Sequence, residues 1–216
     1  MKINNLLLTG LLGCIGTEGY AQSTVNFTAG PGQRNVTFNG ATAVSNGNQV
    51  RIGYFDPGFN VGANASDLPG LLGAWHQFGA TAITTIFGQA GRFADTTSTA
   101  DAQFSGQKVS LWVFKTSDNS APAAGFANVS AYGLFSSSAL NWLFSPADAA
   151  PPGNTTSVNS SEVNQAFYGS YDSSHLILGG IGLNAVPEPS AFYLLALGLG
   201  GLGLCSGRKQ FLNRVR

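Results

Sequence analysis

The sequence predicts a mostly β protein: a single β-sandwich or jelly-roll-like domain, flanked by a signal peptide and a C-terminal transmembrane helix. Three observations predict it. Charged residues make up 9% of the 216, against about 25% in ordinary globular chains. Glycine numbers 29, and with Asn, Asp and Ser it forms recurrent turn clusters, where it supplies positive-φ positions. Between those clusters lie short runs in which apolar and polar residues alternate, the period-2 pattern of half-buried strands.

Residues 1–21 read as a secretory signal peptide. Lys2 gives a short basic start, residues 6–16 an apolar stretch, and Gly19 and Ala21 stand at −3 and −1 of a cleavage point before Gln22. A competing reading takes Leu11, Leu12, Gly13 and Cys14 as a run that resembles a bacterial lipobox, with Cys14 lipidated; Leu12 departs from the small or β-branched residue usual there. Both readings export the chain. Cys14 and Cys205 are the two cysteines, so the exported region 22–185 contains none and no disulfide staples it. Its stability must come from an ordinary core, which ~165 residues can bury.

Within that region, residues 24–28, 35–38, 49–55, 108–115, 131–135 and 175–178 read as strands. Turn clusters at 45–48, 56–58 and 118–120 separate them. The 45–48 cluster predicts a hairpin from 42–44 into the strand at 49. In 108–115, Val109, Leu111 and Val113 point one way and Ser110, Trp112 and Phe114 the other. A strand apolar on both faces is central and covered on both sides. Short helices are expected within 67–78 and within 160–167, the second capped by Ser160 or Ser161. Residues 147–156 read as a loop, and Asn184, Ala185, Val186 and Pro187 as a linker.

Between residues 22 and 189 five bases (Arg34, Arg51, Arg92, Lys108, Lys115) face nine acids (Asp56, Asp67, Asp95, Asp101, Asp118, Asp148, Glu162, Asp172, Glu188), a balance of 5 − 9 = −4. No basic patch is present, so nucleic acid is not an expected partner.

Val186, Pro187, Glu188, Pro189 and Ser190 then precede an uncharged run, 191–207, of Leu, Ala, Phe, Tyr and Gly. As a helix those residues would cover ~26 Å, slightly under a ~30 Å hydrocarbon core. Pro189 restricts where the helix can start. Arg208, Lys209, Arg214 and Arg216 in the tail 208–216 hold that end in the cytoplasm by the positive-inside rule, so the domain lies outside. Together the Val-Pro-Glu-Pro-Ser motif, the span and the basic tail resemble a PEP-CTERM sorting signal, over residues 186–216 only. The resemblance implies processing by an integral-membrane exosortase, with Pro187, Glu188 and Pro189 as recognition residues. It also implies a precursor anchored in the inner membrane, then a product at the cell surface, in the outer envelope or outside the cell. Tails of this type also occur on some ice-binding proteins. The body here has one Thr97-Ser98-Thr99 and no repeated Thr-x-Thr period, so that property is not carried over.

Motifs for catalysis are missing. There is no Gly-x-Ser-x-Gly, no His-Glu-x-x-His, no P-loop, and no Gly-x-Gly-x-x-Gly in a strand-to-helix setting. His175 has Asp172, Ser173 and Ser174 beside it, but neighbours along a strand point to opposite faces. His76 reads as an interface or core-edge residue rather than a metal ligand, and Glu162 as a first-turn helix residue rather than a raised-pKa acid. Asp95, Asp101 and Asp118 read as turn aspartates rather than calcium ligands. No metal site and no cofactor are expected. Trp112 reads as core, while Trp75 and Trp142 read as core or, if exposed, as the candidates for stacking on a sugar. The expectation is a non-enzymatic exported protein of the cell surface or extracellular matrix, with exopolysaccharide as a possible partner. The alternatives are a carbohydrate-binding module and a secreted hydrolase of polysaccharide.

Overall fold

The structure, a computed structural model, describes residues 22–146, 149, 154–172 and 180–186. The chain opens with β1 (Ser23–Thr28), β2 (Val36–Phe38), β3 (Thr42–Ala43) and β4 (Gln49–Phe55). One helix, α1 (Leu68–Gly73), precedes β5 (Trp75–Ala82), β6 (Thr84–Ile86), β7 (Gln89–Arg92) and β8 (Ala94–Thr99). Then come β9 (Ser110–Thr116), β10 (Val129–Ser136), β11 (Thr155–Asn159), β12 (Gln165–Tyr168), β13 (Ser170–Tyr171) and β14 (Ile181–Ala185).

These strands form a mostly β, layered fold, as the composition and the period-2 runs predict. A small sheet runs β11-β1-β8, and a large one runs β3-β2-β14-β10-β9-β4-β5, with β12 added on β10 and β13 on β14. The alternation in β1 explains the packing: Ser23, Val25 and Phe27 point inward while Thr24, Asn26 and Thr28 stay partly exposed. Val25 and Phe27 meet Val50, Ile52, Leu111, Val113, Phe135 and Leu183 of the large sheet in one core. Each such side chain taken from water contributes roughly 1.5–3 kcal/mol.

β9 occupies the middle of the large sheet, between β4 and β10. Its Leu111 and Val113 face the small sheet. Trp112 and Phe114 face a second apolar cluster built from Phe55, Tyr132, Leu134, Leu71 of α1 and Phe126. Both faces are covered, as expected for this strand. Tyr132 anchors that cover by donating its hydroxyl to the Ala65 carbonyl at 2.7 Å. Burial raises the pKa of its phenol, so it remains the neutral donor.

Several local expectations are corrected. The 45–48 turn does not form a hairpin between 42–44 and β4, because β3 pairs with β2 instead. Asn39, Gly40 and Ala41 make that turn: Asn39 and Gly40 are left-handed (φ 51° and 69°) and Ala41 donates its N–H to the Phe38 carbonyl at 3.2 Å. The 45–48 turn is tied to β9: buried Asn48 accepts from the Thr116 backbone at 2.7 Å and donates to Asn119 Oδ1 at 3.1 Å. A short helix does form within 67–78, as expected, and it ends at Gly73; Trp75, His76, Gln77 and Phe78 belong to β5. Over 160–167 only a single 3-10 turn, Ser160–Glu162, forms before β12 begins, and Asn159 precedes it in the capping position. Thr155 and Thr156, assigned to a loop, lie in β11 paired with β1. The strand expected at 175–178 lies outside the described residues.

Candidate functional site

The site legible in the sequence is the C-terminal exit, and its geometry begins with β14. This strand lies inside the large sheet, parallel to β2 through Ile181↔Val36 and Leu183↔Phe38. On its other side it runs antiparallel to β10 through Ala185↔Ala131 and Asn184↔Tyr132. Asn184, Ala185 and Val186 are therefore not a linker. Tyr168 donates its hydroxyl to the Ala185 carbonyl at 2.6 Å, and Val186 donates its backbone N–H to the Ser130 carbonyl at 3.1 Å. The Val186 side chain packs on the second apolar cluster. Pro187, Glu188, Pro189 and Ser190 lie outside the described residues, as do 191–216. Five residue steps separate Val186 from Ala191 and span at most ~18 Å, so the apolar run begins within that distance of the folded sheet.

Register sets which end of the sheet this is. Val186 bonds Ser130, β10 pairs Val129 with Thr116, Asn48 holds Thr116, and Ile83 donates to the Asn48 carbonyl at 2.6 Å. These residues form one row across the tail-bearing end. The opposite end carries Phe55, Ser110 and Ser136.

At that opposite end, the segment leaving β4, the start of β9, the end of β10 and the start of β12 enclose a groove of about 250 Å³. Phe55, Phe59 and Phe167 supply its apolar side, with Phe55 and Phe59 stacked at 5.8 Å. Gln107, Ser110 and Gln165 also line it, and their side chains form no hydrogen bond among the described residues. Two charges flank them. Lys108 Nζ donates to the Ala139 carbonyl at 3.3 Å. Asp56 pairs with His76 Nε2 at 2.6 Å, and the His76 ring stacks on Tyr54 at 4.6 Å. None of these groove residues was singled out as a stacking or binding residue from sequence. The signals available were the abundance of phenylalanine, 15 against 3 tryptophans, and the Asp56-Pro57-Gly58 turn.

Of the two tryptophans weighed between core and stacking, Trp142 lies in the core and Trp75 at its edge. Trp142 is fully buried in the core, and its indole N–H donates to Glu162 Oε2 at 2.9 Å. It therefore presents no ring to a sugar. Trp75 is half-buried, with its ring engaged by Phe55 at 4.9 Å and edge-on to Trp112 at 5.3 Å. Trp112 is fully buried, as expected.

Glu162 is a structural clip. Besides Trp142 it accepts from Asn141 Nδ2 at 2.9 Å and from Asn159 Nδ2 at 3.2 Å. Burial alone would raise its pKa, yet these hydrogen bonds outweigh burial and hold it below the usual carboxylate value. Its stabilisation is thus fully present above the unfolded pKa and is lost as pH falls through the lower folded one. In thermal melts Glu162→Ala is expected to cost about 1–3 kcal/mol near neutral pH, the penalty for an unpaired buried indole N–H. The gap from the parent should close in acid. A gap that does not change with pH would contradict the carboxylate's role.

The remaining candidates occupy turns and strand ends. Asp95 accepts from the Thr96 backbone, Asp101 from the Gln103 backbone, and Asp118 from Ser120 Oγ and Asn128 Nδ2. Asp67 caps α1 through the Gly70 N–H. Among the described residues no group of three or more His, Cys, Asp or Glu side chains could hold a metal ion. His175 lies outside the described residues. Arg34 and Arg92 are buried and donate to backbone carbonyls of Val163, Gly30 and Gln33, so two of the five bases add nothing to the surface charge.

Among the described residues no helix is long and apolar enough to cross a membrane. No curated protein and no solved structure matches the chain. Residues 185–209 match the family model of the PEP-CTERM protein-sorting motif, and the match begins at Ala185, the last residue of β14. The chain is thus a bearer of the PEP-CTERM sorting motif, an exported protein whose membrane-associated precursor is sorted by an exosortase-like membrane enzyme.

Proposed function

We propose that the chain is a non-enzymatic protein of the cell surface or extracellular matrix, a folded β domain delivered by its tail. The observation that carries this reading is the junction at Ala185 and Val186, where the sorting motif starts on the last strand of the folded sheet. The pathway would then receive a finished domain with its label at one end. The carboxylates of Asp56, Asp67, Asp95, Asp101, Asp118 and Glu162 support the non-enzymatic reading. Each is occupied by a cap, a turn, a histidine or an indole. Glu162, with its lowered pKa, is also unsuited to serve as a general acid near neutral pH.

The sorting role is tested in cells. Glu188→Ala, and separately deletion of 191–207, should each leave the precursor uncut and reduce the amount exposed to protease added outside the cell. If both variants are trimmed and displayed like the parent, the tail is not the address.

A further inference from the structure

The geometry points to the groove of Phe55, Phe59 and Phe167 as a binding site for a single pyranose residue of a neutral polysaccharide. The inference rests on the proposed extracellular role and adds to it a ligand class and a site.

Four properties of the groove select that ligand. Its volume, about 250 Å³, is below the ~300–1,000 Å³ of pockets that enclose drug-sized molecules, so it admits one ring rather than an oligomer. The phenylalanine side is apolar and partly open: Phe59 and Phe167 are half-buried while Phe55 is buried beneath them. The flat C–H face of a pyranose lies well against such rings. The lining also includes two amide side chains and a hydroxyl, Gln107, Gln165 and Ser110, with no side-chain hydrogen bond among the described residues. Each can both donate and accept, which suits vicinal sugar hydroxyls. The two charges at the rim, Lys108 and Asp56, are of opposite sign and already engaged with Ala139 and His76, which favours an uncharged ligand.

Its position in the fold agrees. The groove sits at the end of the large sheet opposite Val186, so the point where the tail leaves the fold does not cover it. Its wall is also well held. Asp56 donates its N–H to the Ala74 carbonyl, Phe59 donates to the Asp56 carbonyl, and Tyr132 fixes Ala65 beyond them. A site built on braced segments loses little entropy when it binds.

The test uses the full chain in detergent, titrated by calorimetry with the methyl glycosides of glucose, galactose, mannose and N-acetylglucosamine. Retention in gels containing dextran or galactomannan is measured in parallel. Saturable binding of at least one glycoside is expected. The double variant Gln107→Ala, Gln165→Ala should weaken it about tenfold, as two lost hydrogen bonds of ~0.5–1.5 kcal/mol imply. Both side chains lack hydrogen bonds among the described residues, so its melting temperature should match the parent. Phe59→Ala should weaken binding as well, while Leu140→Ala, an exposed site away from the groove, should not. Absence of binding to all probes, or binding that the double variant leaves intact, overturns the proposal. Surface display is scored separately by protease accessibility. Display without binding refutes the groove alone, whereas binding without display refutes the proposed location alone.

Discussion

A chain that ends at Val186 is expected to unfold in one cooperative transition, and a chain that ends at Gly180 is expected not to fold. The difference is six residues. They include Ile181 and Leu183, both fully buried in the core between the sheets. Removing a side chain of that size from a core costs about 2–5 kcal/mol. The loss of β14 also removes the ladder on both sides of it, leaving β2 with β3 only and exposing an edge of β10. Set against a total stability of about 5–15 kcal/mol, this removes the folded state. Circular dichroism melts of the two chains, with hydrogen exchange of the β2 amides, decide the matter. A cooperative melt for the chain ending at Gly180 would contradict the topology.

Trp112→Ala is the point substitution with the largest expected effect, about 3–5 kcal/mol. The side chain is fully buried at the centre of the large sheet. It contacts Phe114 at 4.9 Å, Phe126 and Trp75 at 5.3 Å, and Phe55 at 5.9 Å. Alanine would leave a cavity that these rings cannot all collapse into. Trp112→Phe should cost much less. The Trp112 indole nitrogen is buried without a hydrogen-bond partner among the described residues, so phenylalanine removes an unpaired donor while keeping most of the ring. Urea denaturation midpoints of the three proteins measure this. Equal losses for alanine and phenylalanine would show that the indole N–H is paired after all.

Those two expectations also mark where the sequence is legible and where it is not. β9 could be read because both of its faces are apolar within one continuous run, and burial on both sides follows from that alone. The sorting motif could be read because its parts are contiguous: the Pro-Glu-Pro core, the uncharged run and the basic tail follow one another. Strand pairing was harder. The clusters at 39–40 and 45–48 both contain Asn-Gly, and only the long-range bond from Asn48 to Thr116 decides which one closes a hairpin. Asn184 and Ala185 resembled a linker because they are small or polar and precede a proline. Their partners, Tyr132 and Ala131, lie over fifty positions earlier. Trp142 presented the same difficulty, since the carboxylate that satisfies its indole, Glu162, is twenty residues away and was read as part of a helix. The groove draws on four separate segments, so no single stretch of sequence carries its signature.

The mass of the mature protein, released from the envelope of the native cell, tests the central claim most directly. A domain that folds through Val186 and is then relieved of its tail predicts a C-terminus between Val186 and the start of the apolar run at Ala191, with residues 181–186 intact. A mature protein that retains residues 191–216, or one that ends before Ile181, would contradict the account.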